Sequence, residues 1–154
     1  MTQQQPNDVC YQTISEYLEH YKRIYCRQKI YTFDGIRVYF DPCRFDHAFY
    51  EGKKKGVEFS WERAKKIDWI KFTLEQKDAD LRFGYYPEKK QQELNRRVAV
   101  VFGNYQVVLE LYLKKDVLIA KFKTAFPIKG KGGYVNSPKW DKQTCLDYLK
   151  KKGH

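Results

Sequence analysis

The dipeptide Gly103-Asn104 constrains the fold most strongly, because it alone separates two runs of alternating apolar residues. This pattern predicts a tight β-hairpin, in which glycine supplies the backbone conformation that a two-residue turn needs. Such a turn pairs Phe102 with Tyr105, and strand alternation then sets every later pair. We therefore predict two adjacent antiparallel strands, over residues 96–102 and 105–113.

A third strand is predicted over residues 117–126, after a two-residue turn at Lys115-Asp116. This turn sets Glu110 opposite Lys121, whereas a three-residue turn would set Glu110 opposite Ala120 and mix the two faces. We prefer the two-residue turn because it keeps one face apolar. That face then carries Val98, Val100, Phe102, Tyr105, Val107, Leu109, Leu111, Leu113, Leu118, Ala120, Phe122, Thr124 and Phe126.

The opposite face is predicted to place Glu110 between the cations Arg97 and Lys121, with Tyr112 and Lys123 beside this row. A weak ion ladder on a solvated face is one interpretation. An open surface whose cations hold a phosphate is the other. Thr124 is a predicted core residue unless the third strand twists or bulges near its end.

Helices are predicted before and after the sheet. Apolar residues at three- and four-residue spacing indicate a helix over residues 10–27, with His20 solvated on its polar side. Ser60 is typical of an N-cap and predicts a helix to about residue 76, with Arg63 in its buried stripe. The fold class is therefore α+β: N-terminal helices packed on one face of a twisted four- to five-stranded antiparallel sheet, followed by a short C-terminal helix. Shorter strands are predicted over residues 36–40 and 81–86.

The charge balance favours an anionic partner. The chain has 30 Lys and Arg against 19 Asp and Glu, for a net charge of +11, and its 154 residues predict a single domain. Charges interrupt every apolar run before the ~18 residues of a membrane span. The start lacks the features of a secretion signal, and the four scattered cysteines form no C-x-x-C pair. We expect a cytoplasmic protein with reduced thiols and no membrane contact.

The candidate for proton transfer is His47, which we expect to be the only histidine inside the body of the protein. Imidazole both takes and gives a proton near neutral pH. Beside many lysines and arginines it suggests chemistry on a polyanion, although a structural histidine is the other interpretation. Arg63 needs an anionic partner in its buried stripe, either a phosphate or a carboxylate, unless its side chain snorkels to solvent at the end of the helix.

Three segments resemble the phage-associated barnase–EndoU–colicin–RelE-like nucleases: Phe45-Asp46-His47-Ala48-Phe49-Tyr50-Glu51, residues 59–70 and the sheet over residues 96–126. The likeness spans about residues 36–127 and leaves the helix 10–27 and a basic tail, residues 128–154, outside it. It implies an α+β domain that cleaves RNA without metal. By position, the resemblance implies that the catalytic residues are His47, Arg63, Lys123 and Thr124, with Glu110 and Lys121 as auxiliary residues.

The leading hypothesis is an endoribonuclease in which the 2′-hydroxyl of the RNA attacks the phosphodiester, with no metal and no cofactor. His47 would act as general acid or base, while Arg63 and Lys123 stabilise the transition state. We expect substrate contacts from Lys66, Arg97, Glu110, Tyr112 and Lys121. The alternative is a non-catalytic, basic nucleic-acid-binding protein of a mobile element. A third hypothesis is a toxin whose cationic site is covered by an acidic antitoxin or immunity protein.

Overall fold

The two predicted hairpins form the centre of the sheet in the computed structural model, which describes residues 5–51, 58–84, 96–128 and 137–151. The strands are β1 (Ile30–Tyr31), β2 (Arg37–Tyr39), β3 (Tyr50–Glu51), β4 (Glu58–Phe59), β5 (Asp80–Phe83), β6 (Arg97–Phe102), β7 (Tyr105–Lys114) and β8 (Val117–Pro127). The helices are α1 (Ile14–Tyr21), α2 (Arg44–Ala48), α3 (Trp61–Ala64), α4 (Ile67–Leu74) and α5 (Lys142–Lys151). A π-helical turn over Lys22–Cys26 continues α1. The protein is therefore α+β.

Both predicted turns are confirmed. Gly103 has a φ of +60°, and Lys115 and Asp116 have φ values of +51° and +64°, as tight hairpin turns require. The predicted pairs Arg97–Glu110 and Glu110–Lys121 are present. Local turn chemistry therefore sets the register of the central three strands.

The sheet is larger than predicted and is mixed. Its six strands have the order β1-β2-β8-β7-β6-β5, while β3 and β4 form a separate pair. β2 runs parallel to β8, with Val38 opposite Ala120. The prediction of four to five antiparallel strands is therefore wrong at this edge. A three-residue strand has no hairpin turn linking it to its partner, so no local signal indicates the direction of pairing.

A β-bulge in β8 changes the predicted core face. Val108 pairs with Thr124 and Leu109 pairs with Phe122, so Lys123 is an extra residue between these pairs. Because one extra residue reverses the alternation, Ala125 takes the core position opposite Val107. Thr124 and Phe126 therefore lie on the opposite face, and their prediction as core residues is wrong.

The predicted helix from Ser60 to residue 76 is broken into two. Ser60 is the N-cap, because its side chain accepts a hydrogen bond from the main chain of Arg63. The Lys65 carbonyl accepts from the main-chain N–H of Val9, 2.8 Å away, and Trp69 donates to Lys66 instead. Docking of the N-terminal segment thus coincides with the break between α3 and α4. Arg63 consequently does not share one continuous helical stripe with the apolar residues of α4.

The first helix begins at Ile14 and not at residue 10, because Thr13 and Glu16 form a capping box. His20 is buried, and its prediction as a solvated residue is wrong. Its Nε2 lies 2.8 Å from Asp68 Oδ1, and its Nδ1 lies 2.8 Å from the Tyr11 hydroxyl. The amphipathic pattern of α1 did not predict the burial of His20, because the groups that cover it are polar and come from α4 and from the N-terminal segment.

Buried residues of α1, α2, α4 and α5 form one cluster with the predicted apolar face of the central strands. A smaller cluster of Ala99, Val101 and Val108, packed against Ile128, lies on the opposite face. In the described ranges no helix is both long and apolar enough to cross a bilayer. Residues 87–95, whose polar sequence predicts a loop, lie outside the described residues. So do the end of the strand predicted over residues 81–86 and, in the basic tail, residues 129–136 and 152–154.

Candidate functional site

The start of α2 is fastened to β8 by Arg44. Strand β2 pairs with β8 only as far as Lys121. Beyond that point the carbonyl of Lys123, the bulge residue, accepts hydrogen bonds from Arg44 Nη2 at 2.6 Å and from Nε at 3.2 Å. Asp41 Oδ1 accepts from the main-chain N–H of Cys43 at 2.8 Å, which shapes the turn into α2. The junction of β2, α2 and β8 is therefore formed by the bulge at Lys123, the turn at Asp41 and the guanidinium of Arg44.

A cleft of about 450 Å³ opens at this junction. Its lining is contributed by the end of β2, the turn into α2 and the middle of β8, namely Tyr39, Phe40, Asp41, Pro42, Cys43, Arg44, Lys121, Phe122 and Lys123. Three of these side chains are cations, and one is a carboxylate. The cleft is therefore a cationic space that could accommodate a phosphate.

His47 is not among the residues that line this cleft; it lies on the exposed side of α2, the helix that begins at the cleft with Arg44. It follows Arg44 by three residues, a spacing that makes two side chains neighbours on a helix surface. Phe45 and Ala48 are buried against the core, whereas the ring of His47 is exposed. Within the described residues His47 makes no hydrogen bond and no ion pair, so its ring nitrogens are open to a ligand.

The predicted charge row is present, but it is not solvated. Glu110 Oε2 lies 3.9 Å from Arg97 Nη1 and 4.0 Å from Lys123 Nζ, and the side chains of Arg97 and Glu110 are only 10% and 16% exposed. The Tyr112 hydroxyl donates to Glu110 Oε1. The interpretation of this row as a solvated ladder is therefore wrong for Arg97 and Glu110.

Burial and neighbouring charges shift two pKa values in this cluster. Burial raises the pKa of Tyr112 to about 12, with the hydrogen bond to Glu110 and the charge of Glu110 adding to the effect. Burial lowers the pKa of the Lys123 ammonium, Glu110 opposes this shift, and the positive charge of Arg44 reinforces it. Lys123 therefore holds its proton less tightly than an ordinary lysine does.

Arg63 finds a carboxylate partner. Its Nη2 lies 3.6 Å from Glu51 Oε1, its Nη1 is 3.5 Å from the Ala48 carbonyl at the end of α2, and its guanidinium lies over the Phe126 ring. Of the two partners considered for Arg63, the structure contains the carboxylate. Arg63 still borders the site, because Ala48 is the residue after His47.

The predicted site residues thus fall into three groups: those on one sheet face, those at α2, and Lys66. Lys123, Glu110, Arg97, Tyr112 and Lys121 are brought together on one face of β6, β7 and β8, with the Lys121 ammonium 4.4 Å from the centre of the Tyr112 ring. Thr124 follows the bulge on the same face. Arg63 contacts the C-terminal end of α2 through Ala48 and lies over Phe126, whereas among the described residues no side-chain contact joins His47 to this group.

Lys66 lies apart from this assembly. Its ammonium binds Asp8 at 2.8 Å and covers the Trp69 ring, which ties the turn before α4 to the N-terminal segment. Sequence reasoning overlooked Arg44, which contacts the predicted group directly. The Asp41-Pro42 turn just before it was the available signal, since it marks where β2 ends and a new element begins.

No protein-family model, curated protein or solved structure matches this chain. The resemblance to the barnase–EndoU–colicin–RelE-like nucleases therefore rests only on the three sequence segments, residues 45–51, 59–70 and 96–126.

Proposed function

We propose that this protein is a metal-independent endoribonuclease whose phosphate site is the cleft beside Arg44. One observation carries the proposal: His47, an exposed histidine with no hydrogen-bond partner among the described residues, is on the same helix as Arg44, the arginine that binds the Lys123 carbonyl. Arg44 and Lys123 line the cleft, and in the proposal His47, which follows Arg44 on α2, supplies the proton-transfer group. RNA cleavage by an internal nucleophile needs little more than these groups and correct positioning.

In the proposed reaction the 2′-hydroxyl oxygen attacks phosphorus and the bond to the 5′-oxygen breaks. His47 takes the proton of the 2′-hydroxyl, and the products are a 2′,3′-cyclic phosphate and a free 5′-hydroxyl. Lys123 is the proposed donor of the proton to the 5′-oxygen, because its pKa is lowered. Arg44 stabilises the charge on the phosphate oxygens, and Arg63 supports the end of α2 through Ala48.

The second candidate function is non-catalytic binding of nucleic acid. It is favoured by the carboxylate partners of Arg63, Lys66 and Lys123, which reduce the charge free to stabilise a transition state. His47 also has no described neighbour that orients its ring by a hydrogen bond. A basic surface gives salt-dependent affinity without any chemistry.

Cleavage of an end-labelled single-stranded RNA in EDTA tests the proposal. The wild-type protein should cut it, His47→Ala should lose at least about 100-fold in rate, and the affinity for RNA should be retained. Asp46→Ala is the matched control, since Asp46 is the exposed neighbour on the same short helix. A single 2′-deoxy nucleotide at the cut position should block cleavage there.

Two outcomes would overturn the nuclease proposal. One is cutting of an all-DNA strand at the same rate, since DNA has no 2′-hydroxyl to attack. The other is tight binding without cutting that tolerates His47→Ala, which would establish the second candidate instead.

A further inference from the structure

The sheet face on the β2 side of the cleft carries tyrosines interleaved with cations. We call it the tyrosine face: Tyr31, Arg37, Tyr39, Tyr112, Lys114 and Lys121. Register places these residues on one side, because Tyr31 pairs with Arg37, Tyr39 pairs with Lys121, and the residues between them, such as Val38 and Ala120, are buried in the core. Tyr112 and Lys114 follow Glu110 by alternation on the same side of β7.

The rings of Tyr31 and Tyr39 are exposed, and each of them lies against a cation. Tyr31 is 44% exposed and Tyr39 is 37% exposed, although both rings are flat and largely apolar. The Arg37 guanidinium lies 4.5 Å from the centre of the Tyr39 ring and 5.9 Å from that of Tyr31. Lys114 lies 5.8 Å from the Tyr39 ring centre. These cation–π contacts hold the rings in place while leaving ring surface open to solvent.

The positive charges of this face are not neutralised. Within the described residues Arg37, Lys114 and Lys121 form no ion pair, and the Nε of Arg37 also lacks a hydrogen-bond partner there. By contrast, Arg63, Lys65, Lys66, Lys71 and Arg82 all have carboxylate partners. Positive charge is therefore left available on the tyrosine face.

We infer that the tyrosine face binds single-stranded RNA, with bases stacked on Tyr31 and Tyr39 and phosphates held by Arg37, Lys114 and Lys121. Unpaired bases offer flat faces for stacking, whereas a duplex buries those faces inside its own stack. An acidic peptide would complement the cations but would leave the rings unused. Single-stranded nucleic acid is the ligand that uses both features.

The inference rests on the proposed function in one respect, since it gives the substrate a path to the proposed site. Tyr39 and Lys121 belong to the tyrosine face and also line the cleft beside Arg44. A strand bound across β1 and β2 would therefore continue toward Lys123. The substrate would be recognised along several nucleotides, and a duplex would be a poor substrate.

The test is binding of a fluorescent single-stranded 2′-O-methyl RNA of about eight nucleotides, which lacks the attacking hydroxyl and so reports affinity without cleavage. Tyr31→Ala and Tyr39→Ala should each raise Kd about tenfold, because each removes a stacking surface. Tyr31→Phe and Tyr39→Phe should stay within about twofold, because the ring remains. Arg37→Gln should lower the slope of log Kd against log salt by about one.

Matched controls lie elsewhere on the surface. Trp61→Ala removes an aromatic side chain that is 48% exposed on α3, and Lys150→Gln removes an exposed cation of α5. Both should bind the probe like the wild type. Wild-type affinity in both alanine variants of the tyrosine face, or equal affinity for a duplex of the same sequence, would overturn the inference.

The two proposals fail separately. If natural RNA is never cut but binding still depends on Tyr31 and Tyr39, the tyrosine face stands and the nuclease proposal falls. If RNA is cut in a His47-dependent way while both alanine variants bind normally, the nuclease stands and the tyrosine face falls.

Discussion

Arg44 Nη2 lies 2.6 Å from the main-chain carbonyl oxygen of Lys123. This contact joins the first residue of α2 to the bulge residue of β8, two segments far apart in the chain. It also fixes α2, the helix that carries His47 one turn after Arg44, against β8. The position of the candidate site therefore depends on a side-chain bond to the backbone.

Replacing Arg44 tests this dependence. Arg44→Gln should lower the free energy of unfolding by about 1.5–3 kcal/mol, because the Lys123 carbonyl loses charged donors. The rate of RNA cleavage should fall by more than the loss of folded protein accounts for, because α2 carries His47. Urea denaturation and cleavage rates measure the two effects. Arg27→Gln is the control, because Arg27 and Glu19 form an exposed pair that contributes about 0–1 kcal/mol; equal effects of both changes would contradict the prediction.

His20 is predicted to be structural. His20→Leu removes the partner of both Asp68 and Tyr11, and it should cost about 1–3 kcal/mol of stability. Glu19→Gln, at the exposed neighbouring position, should leave Tm nearly unchanged. Thermal unfolding followed by circular dichroism makes the comparison. An unchanged Tm for His20→Leu would show that these two hydrogen bonds add nothing to stability.

Tyr112 should make the protein less stable in alkali. An unfolded tyrosine loses its proton near pH 10, but the pKa of Tyr112 in the folded protein is raised to about 12. Stability gained from the protonated hydroxyl is therefore complete below about pH 10 and is lost as pH rises toward about 12. Tyr112→Phe should flatten this fall in stability.

Glu110→Gln should bring the pKa of Tyr112 down, because it removes the charge that opposes deprotonation. Carbon-13 NMR of the tyrosine ring, with Tyr112→Phe to assign the signal, measures the pKa. A pKa that stays near 12 in Glu110→Gln would assign the whole shift to burial.

The cysteines should react with a thiol reagent in a fixed order. Cys10 and Cys43 are exposed, whereas Cys145 is buried and burial raises its pKa to about 12. The Asp41 carboxylate raises the pKa of Cys43, so Cys43 should react more slowly than Cys10. Asp41→Asn should speed labelling of Cys43 and leave that of Cys10 unchanged. Mass spectrometry of labelled peptides identifies each site, and fast labelling of Cys145 in the native protein would contradict the structure.

The sequence alone was sufficient to predict features that depend on residues close together in the chain. The turns at Gly103-Asn104 and Lys115-Asp116 predict the register of β6, β7 and β8, so the juxtaposition of Arg97, Glu110 and Lys121 was confirmed. Turn geometry and strand alternation operate over a few residues, and a single sequence displays both.

Tertiary structure decided the rest. The bulge at Lys123 placed Thr124 and Phe126 on the face opposite the core. Strand β2 paired with β8 in parallel, and His20 is buried with a hydrogen bond to Asp68. The last two outcomes depend on partners that are distant in the chain, and the carbonyl of the bulge residue is bound by Arg44, 79 residues earlier. Such a contact forms only when the packed core brings two segments together, and no local pattern of residues records which partner that will be.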